Sequence, residues 1–363
     1  MDTKRVGMGR NGRGVRALVR YRGGEHYPGW SGYTAFVLSG GGARGALQVG
    51  MLRALFEHGE RPDVIVGTSI GAWNGAWMAK HPTLEQVAGL EEIWHGLTTG
   101  KVLLGRDPYG APSARAVSGM LMLTAARRVA QGFPSLYGDA GGLLLTAQLF
   151  GEVTFEQLAV PLRVIAANLS HGGRTVFASG PVAPPVLASS AIPGIFPPVR
   201  VGDGVFVDGG ALENVSLDVA VALGARRLFI LDVGYDTSND DHALWASDPV
   251  PAGDKPRAIG TGASGGHALA AVLERTAQVM SRYHLEAALR ALPPGIETHL
   301  LRPNMAGGVL DFTRSAEWMA HGYEHTRAYL ERELSRSDAG AASIEADAAM
   351  DEAVTVDEPA RSA

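Results

Sequence analysis

The chain has 363 residues, 46% hydrophobic and 19% charged, with a formal net charge of −5. It has no cysteine, which excludes disulfides, thiolate nucleophiles and Cys-ligated metals and fits a reducing compartment. The length suits one large α/β domain with a sizeable core, no apolar run is long enough to span a bilayer, and no basic nucleic-acid footprint is present.

The chain opens with a basic arm. Residues 1–32 hold seven Lys or Arg against two acids, whereas residues 337–363 hold seven acids against Arg361 alone. Neither end has enough apolar residues to offset the entropy of ordering. Residues 1–33 are therefore expected to be a disordered arm suited to anionic lipid, and 337–363 a disordered, Ala-rich acidic tail. A single domain over 34–336 lies between them, with its motifs concentrated between about 36 and 221. The arm lacks the apolar core of a signal peptide, since "VRALV" is short and interrupted by arginine.

Between the ends, strand-like and helix-like segments alternate. Strands are predicted at 35–39, 63–67, 162–167, 174–178, 204–207, 227–232 and 297–301, and helices at 45–58, 70–80, 84–97, 216–223, 266–291 and 313–334. This order predicts an α/β fold with a mainly parallel sheet covered by helices.

The first strand runs into "SGGGARG". Gly40, Gly42 and Gly45 satisfy GxGxxG, the phosphate cradle of dinucleotide-binding proteins. Such a site also needs an acid about 20 residues on, at the carboxyl end of the next strand. That strand ends in Thr68 and Ser69, and the nearby acid, Asp63, sits at its beginning. The nucleotide reading therefore lacks its second half.

The second strand delivers "GTSIG" instead, with Gly67, Ser69 and Gly71 in GxSxG. On a tight strand-to-helix turn this pattern presents a serine hydroxyl at the mouth of a sheet. Two successive strand-loop-helix units set their loops side by side at one sheet edge. The glycine loop can then turn backbone N–H groups toward Ser69, where each oxyanion donor is worth about 3 kcal/mol. Glycine is expected there because a Cβ would block the substrate. Arg44, at a helix start, opposes the helix dipole by about 0.3 to 1 kcal/mol; it is read as fixing this loop or meeting an anionic headgroup, a solvated arginine being the plain alternative.

Gly and Pro interrupt residues 100–150, which suit a helical cap over a site. Farther on, "GVFVDGG" ends an apolar strand at Asp208. Asp-Gly in isolation marks a turn, but at a strand end its carboxylate can reach the same sheet edge as Ser69. No histidine carries a local signature for the base. In the helix at 266–291, Leu269, Val272, Leu273, Thr276, Met280 and Tyr283 recur at spacings of three and four, a stripe that reads as core.

Together, "GGGARG", "GTSIG" and "DGG" resemble the patatin-like phospholipase family, in its bacterial branch. The resemblance runs over about 34–334 and includes "ASSAIPGIFPPV" and "DFTRSAEWMAHGYEHT". It implies a three-layer α/β/α sandwich with a Ser69 nucleophile and Asp208 as proton acceptor. It further implies an oxyanion hole in Gly40, Gly41, Gly42, Ala43, Arg44 and Gly45, a nucleophile elbow of Gly67, Thr68, Ile70 and Gly71 around Ser69, and an aspartate motif completed by Gly209 and Gly210. Family members often follow DGG with Asn-x-Pro; here Asn214 is present and Ser216 stands in the proline's place. Ile192, Ile195 and Phe196 suit either an acyl channel or ordinary core.

The function so implied is hydrolysis of lipid carboxylic esters through an acyl-enzyme, without metal or organic cofactor. The enzyme is expected in the cytoplasm, meeting a lipid ester at a membrane surface. An acyltransferase using the same dyad, a GxGxxG nucleotide-binding protein and a non-catalytic lipid-binding scaffold are the alternatives.

Overall fold

The computed structural model describes residues 32–105, 114–234, 265–303 and 308–333. The acidic tail and all but the last residues of the basic arm lie outside them.

Five parallel strands form the body of the sheet, in the order β3 (Leu162–Asn168), β2 (Val64–Thr68), β1 (Tyr33–Leu38), β7 (Ala225–Leu231) and β8 (Glu297–Leu301). β4 (Arg174–Phe177), β6 (Gly204–Asp208) and β5 (Val199–Val201) extend it with antiparallel pairings. The parallel strands are apolar on both sides because both are covered. Along β1, Phe36 and Leu38 enter one core layer while Ala35 and Val37 enter the other, the period of two that a pleated strand imposes. The first layer is completed by α1 (Gly45–Glu57), α2 (Ile70–Lys80), α3 (Leu84–Gly96) and the helix at 315–333, here α10. The second is completed by α8 (Leu217–Ala222) and the end of α9 (Gly265–Arg290). The result is an α/β/α sandwich with a mainly parallel sheet, as the sequence predicts.

One expectation needs revision. The described part of the stripe on α9 is not core: Val272, Met280 and Tyr283 are 42%, 46% and 66% exposed, while Leu269 and Leu273 lie outside the described side chains. α9 packs through its carboxyl-terminal part, where Leu285 is buried and Leu289 half-buried against α8 and its neighbours. The stretch at 100–150, expected as a helical cap, holds three helices, α4 (Thr99–Leu104), α5 (Ala114–Ala130) and α6 (Ala140–Phe150), and α7 (Ala183–Ser189) follows. Each of α4 and α7 is a turn or two long, too short for helical periodicity to stand out.

One edge of β3 sets up the site. Its other edge pairs with β4. On the shared edge, β2 runs parallel along Leu162–Ile165, and β6 then runs antiparallel along Ala166–Asn168. Thr68 pairs with Ile165 and Asp208 with Ala166. The carboxyl ends of β2 and β6 thus meet head to head at consecutive residues of one strand.

α1 and α10 cross so closely that a Cβ on Gly50 would run into the backbone of Met319 and Tyr323, and one on Gly322 into the backbone of Leu47. Gly50→Ala and Gly322→Ala should each lower stability by about 2 to 3 kcal/mol, the scale of overpacking. Gly96→Ala, where a Cβ meets open space, should leave the midpoint of a urea titration nearly unchanged.

Candidate active site

Ser69 is the turn between β2 and α2. Its backbone has φ 54° and ψ −125°, and it is the one non-glycine residue at positive φ among the described residues. Such a conformation costs about 1 to 3 kcal/mol and persists where its surroundings over-determine it. Here the Ser69 N–H donates to Ser189 Oγ at 2.8 Å, and that hydroxyl donates to the carbonyl of Ile165 on β3. Gly67 and Gly71 let strand and helix close up. A Cβ on Gly67 would strike the backbone of Gly71 and Ala72, and one on Gly71 the carbonyls of Leu38 and Ser39. Thr68 is buried at the end of β2, and Ile70 opens α2.

Asp208 comes in from the opposite strand. Its Oδ2 accepts a hydrogen bond from Ser69 Oγ at 2.6 Å, across 139 residues of sequence. Its Oδ1 accepts from the N–H of Gly210 at 2.8 Å, which fixes the plane of the carboxylate. Both side chains belong to buried residues, 5% and 6% exposed. Burial pushes the Asp208 carboxyl up to about 6, against the smaller downward pull of the hydrogen bonds from Ser69 and Gly210. A Cβ on Gly209 would meet the carbonyl of Ile165, and one on Gly210 would crowd the carboxylate and Asn214.

The glycine loop reaches the same place, and most of its N–H groups are already engaged. Gly40 N–H donates to Asn214 Oδ1 at 2.8 Å, while Asn214 Nδ2 donates back to Gly40 O at 3.1 Å. Ala43 N–H donates to Val309 O at 2.7 Å, Arg44 N–H to Gly41 O, and Gly45 N–H to the carbonyls of Gly42 and Ala43. No acceptor among the described residues takes the N–H of Gly41 or Gly42. The glycines are there for packing against the protein rather than clearance for substrate. A Cβ would meet Asn214 and Ser69 from position 40, Val233 from 41, and the Val309 backbone from 42, where φ is +57°. Arg44 is buried, 4% exposed, so the solvated alternative does not hold. Asp63 accepts from Thr34 N–H at the opposite end of the strands, far from any ligand at the loop.

Comparison with known proteins bears on this arrangement. The family model described as patatin-like phospholipase matches residues 36–221, which contain all three motifs. The chain belongs to that family. Among its curated relatives, patatin-like phospholipase domain-containing protein 7 of Mus musculus is 31% identical over 209 residues, 57% of this chain and 14% of that protein. Lysophospholipase NTE1 of Pyricularia oryzae is 27% identical over 309 residues, 82% of this chain and 18% of that protein. This chain therefore spans less than a fifth of the length of either relative. Among solved structures, VipD from Legionella pneumophila superposes with a TM-score of 0.43 at 17% identity, over 83% of this chain and 67% of that one.

In this patatin-like chain three supporting residues lie outside the sequence motifs. Gln48 on α1 and Asn74 on α2 are fully buried, and they form a polar strut beneath the glycine loop. Trp94 Nε1 donates to Asn74 Oδ1, Asn74 Nδ2 to Gly45 O and Gln48 Oε1, and Gln48 Nε2 to the carbonyls of Ser39 and Leu231. Ser189 is the third, beneath Ser69. The signal for Gln48 and Asn74 is present but quiet: each is a lone amide inside a helix of small and apolar residues.

An apolar pocket leads away from Ser69. Ile70, Trp73 and Trp77 of α2, Leu90, Ile93 and Trp94 of α3, Val102 of α4, Leu145 and Leu149 of α6, and Ile192 and Phe196 beyond α7 line it. Residues 100–150 do contribute a helical cover. Ile192 and Phe196 are thus channel residues, whereas Ile195 is not among the lining side chains. Asp139, at the start of α6, is the exposed residue of the lining and marks the mouth. Among the described residues, no histidine lines the pocket and no helix is long and apolar enough to cross a membrane.

The raised Asp208 carboxyl carries a stability cost with a definite sign. Its folded value of about 6 lies above the reference 3.8, so the unfolded chain releases this proton first and stability falls as pH rises from about 4 through 6. Asp208→Asn removes the buried charge. It should be more stable than the parent by up to about 3 kcal/mol near pH 7.5, two pKa units at 1.36 kcal/mol each, and the gain should vanish near pH 4. Urea titrations across that pH range read it directly.

Proposed function

We propose that this chain is a serine acyl hydrolase that cleaves carboxylic esters of lipids, in the manner of a phospholipase A or lysophospholipase. Ser69 Oγ attacks the ester carbonyl while its proton passes to Asp208 Oδ2. The oxyanion of the tetrahedral intermediate takes the N–H groups of Gly41 and Gly42. The ester C–O bond breaks, Asp208 returns the proton to the leaving alcohol, and the acyl group stays on Ser69. Water then enters and gives a proton to Asp208 as it attacks the acyl carbon; Asp208 passes that proton to Ser69 Oγ as the acyl C–Oγ bond breaks, which releases the fatty acid and the free Ser69 hydroxyl.

The observation that carries this reading is the 2.6 Å hydrogen bond between Ser69 Oγ and Asp208 Oδ2, buried at the inner end of an apolar pocket. A carboxylate at its ordinary value is too weak a base for a serine hydroxyl; one pushed up to about 6 is closer to the task yet still ionised at neutral pH. Desolvation does for Asp208 what an imidazole does elsewhere. A second support is that the N–H groups of Gly41 and Gly42 remain open while their neighbours are bound internally. The apolar lining selects an acyl chain, consistent with the lysophospholipase named among the relatives.

Fluorophosphonate labelling tests the nucleophile. The probe should label the parent at Ser69 and leave Ser69→Ala unlabelled; equal labelling of both removes Ser69 from its role. The rate kcat/KM on a soluble ester should fall on the acid side with an apparent pKa near 6, the value of the free Asp208. Mass spectrometry of products from a phospholipid and lysophospholipid panel should show free fatty acid; acyl transfer to an alcohol in its place would make the chain an acyltransferase.

We also propose that residues 34–336 are the acyl hydrolase unit, the basic arm and acidic tail lying outside it. A fragment of residues 33–336 should hydrolyse a soluble short-chain ester as fast as the full chain, since neither end holds a motif. Loss of that activity would move the boundary.

A further inference from the structure

Amphipathic helices of folded proteins turn their apolar side inward. α5 does the opposite. Met122, Leu123, Ala126, Val129 and Ala130 are exposed and recur at the spacing that sets them on one face of the helix. Met122, Leu123 and Val129 are 68%, 71% and 60% exposed. Its less exposed side carries Leu121 and Ala125 beside Thr124 and Arg128, the last tied to Ser135 through its Nε. No residue from 120 to 134 is buried. Sequence periodicity finds the helix only poorly, because apolar residues lie on both of its sides.

The next helix repeats the pattern. On α6, Leu143 and Leu144 are 48% and 59% exposed, while Gly142, Leu145 and Leu149 line the pocket behind Ser69. One helix thus has an apolar face toward the site and an apolar face toward solvent. Asp139, where α6 begins, marks the mouth of the pocket.

Charge identifies the occupant of these outward faces. From residue 114 to 150, the span of α5 and α6, the sequence holds three arginines, Arg115, Arg127 and Arg128, against one acid, Asp139. Arg127 is exposed at the border of the apolar face of α5. Apolar side chains bordered by an excess of cations complement the acyl and headgroup layers of an anionic bilayer. A second copy of the same face would bring its arginines against these.

We propose that the outward faces of α5 and α6 are a docking surface for an anionic phospholipid bilayer, which seats the mouth of the pocket at the lipid surface. The proposal rests on the lipid-ester reading of the site and deepens it by naming how the substrate phase is met. Met122, Leu123 and Leu144 enter the interface, and Arg127 meets lipid phosphates.

The test is cosedimentation of the full-length chain, carrying Ser69→Ala so that lipids stay intact, with vesicles of phosphatidylcholine alone or with about a third phosphatidylglycerol. The chain should partition strongly to the anionic vesicles. Adding Met122→Glu and Leu123→Glu together should cut the partition by about tenfold or more, since two exposed apolar side chains no longer enter the interface. Adding Arg127→Glu should weaken it several-fold and flatten its dependence on salt. With Ser69 restored, all of these variants should hydrolyse a soluble short-chain ester at the parental rate, which shows that they fold. Unchanged partition of the double variant overturns the proposal, as does failure of the parent to bind anionic vesicles. So does a dimer in sedimentation equilibrium that the double variant dissolves, because the face then joins two copies. A parent that binds vesicles through this face but hydrolyses no ester removes the hydrolase reading and leaves the docking surface standing.

Discussion

The site depends on one strand edge that is shared by two partners. β3 offers its hydrogen-bonding groups first to β2 and then to β6, which run in opposite directions and end at Ile165 and Ala166. No flexible loop has to search for the right geometry, since two backbone ladders fix the ends of both strands against a common template. The residues just at those ends, Ser69 and Asp208, are therefore held side by side by the sheet itself. The remaining ties act on that frame. Ser189 fixes the strained backbone of Ser69 to Ile165 on the same strand. Asn214, a few residues past Asp208, holds Gly40 by both its N–H and its carbonyl. Ser69, the Asp208 carboxylate and the glycine loop are thereby one mechanical unit, and a glycine loop held from two sides can leave the N–H groups of its middle residues open.

Burial serves the chemistry at the expense of the fold. Asp208 is kept basic by the loss of water around it, and that loss raises the free energy of its charged form in the folded chain. Ser69 adds the strain of a positive φ on a residue with a Cβ. Both features belong to a small region whose surroundings are among the most completely buried parts of the molecule, including Ala72 and Ala76 of α2, Val164 and Ala166 of β3, and Gln48 beneath the loop. Dense packing of this kind resists local collapse and rearrangement. A strained and charged pair survives there because relieving it would require breaking the sheet edge.

Local signals made much of this legible in the sequence. A strand followed by "GGGARG" and another followed by "GTSIG" each carry their meaning within about ten residues, and so does a strand ending at Asp208; the parallel sheet follows from their alternation. What could not be read depends on contacts distant in sequence. The N–H of Gly40 is occupied by a residue 174 positions away, so the loop alone cannot show which donors stay open. Gln48 and Asn74 look like ordinary polar interruptions of helices until Trp94 and the loop carbonyls are placed around them. The stripe on α9 was misleading for the converse reason. Its spacing is genuinely helical, but periodicity states that residues share a face and not whether a partner covers that face.

The same distinction gives the outward faces of α5 and α6 their meaning. An apolar helical face needs a cover, and the fold supplies one for α1, α2 and α3 from within the chain. On α6 the inner side is consumed by the pocket, where Leu145 and Leu149 face the space next to Ser69. The outer side, at Leu143 and Leu144, is left about half exposed. A substrate that enters such a pocket is itself apolar along its acyl chain and leaves a phase in which that chain was already dry. Carrying it through water would impose a penalty of about 0.8 kcal/mol for every methylene exposed. If the mouth opens directly at the lipid surface, the acyl chain passes from one apolar environment to another, and the polar ester alone must be stripped of water. The outer faces of these helices and the lining of the pocket are then two parts of a single desolvated path, with the carbonyl meeting Ser69 at its inner end.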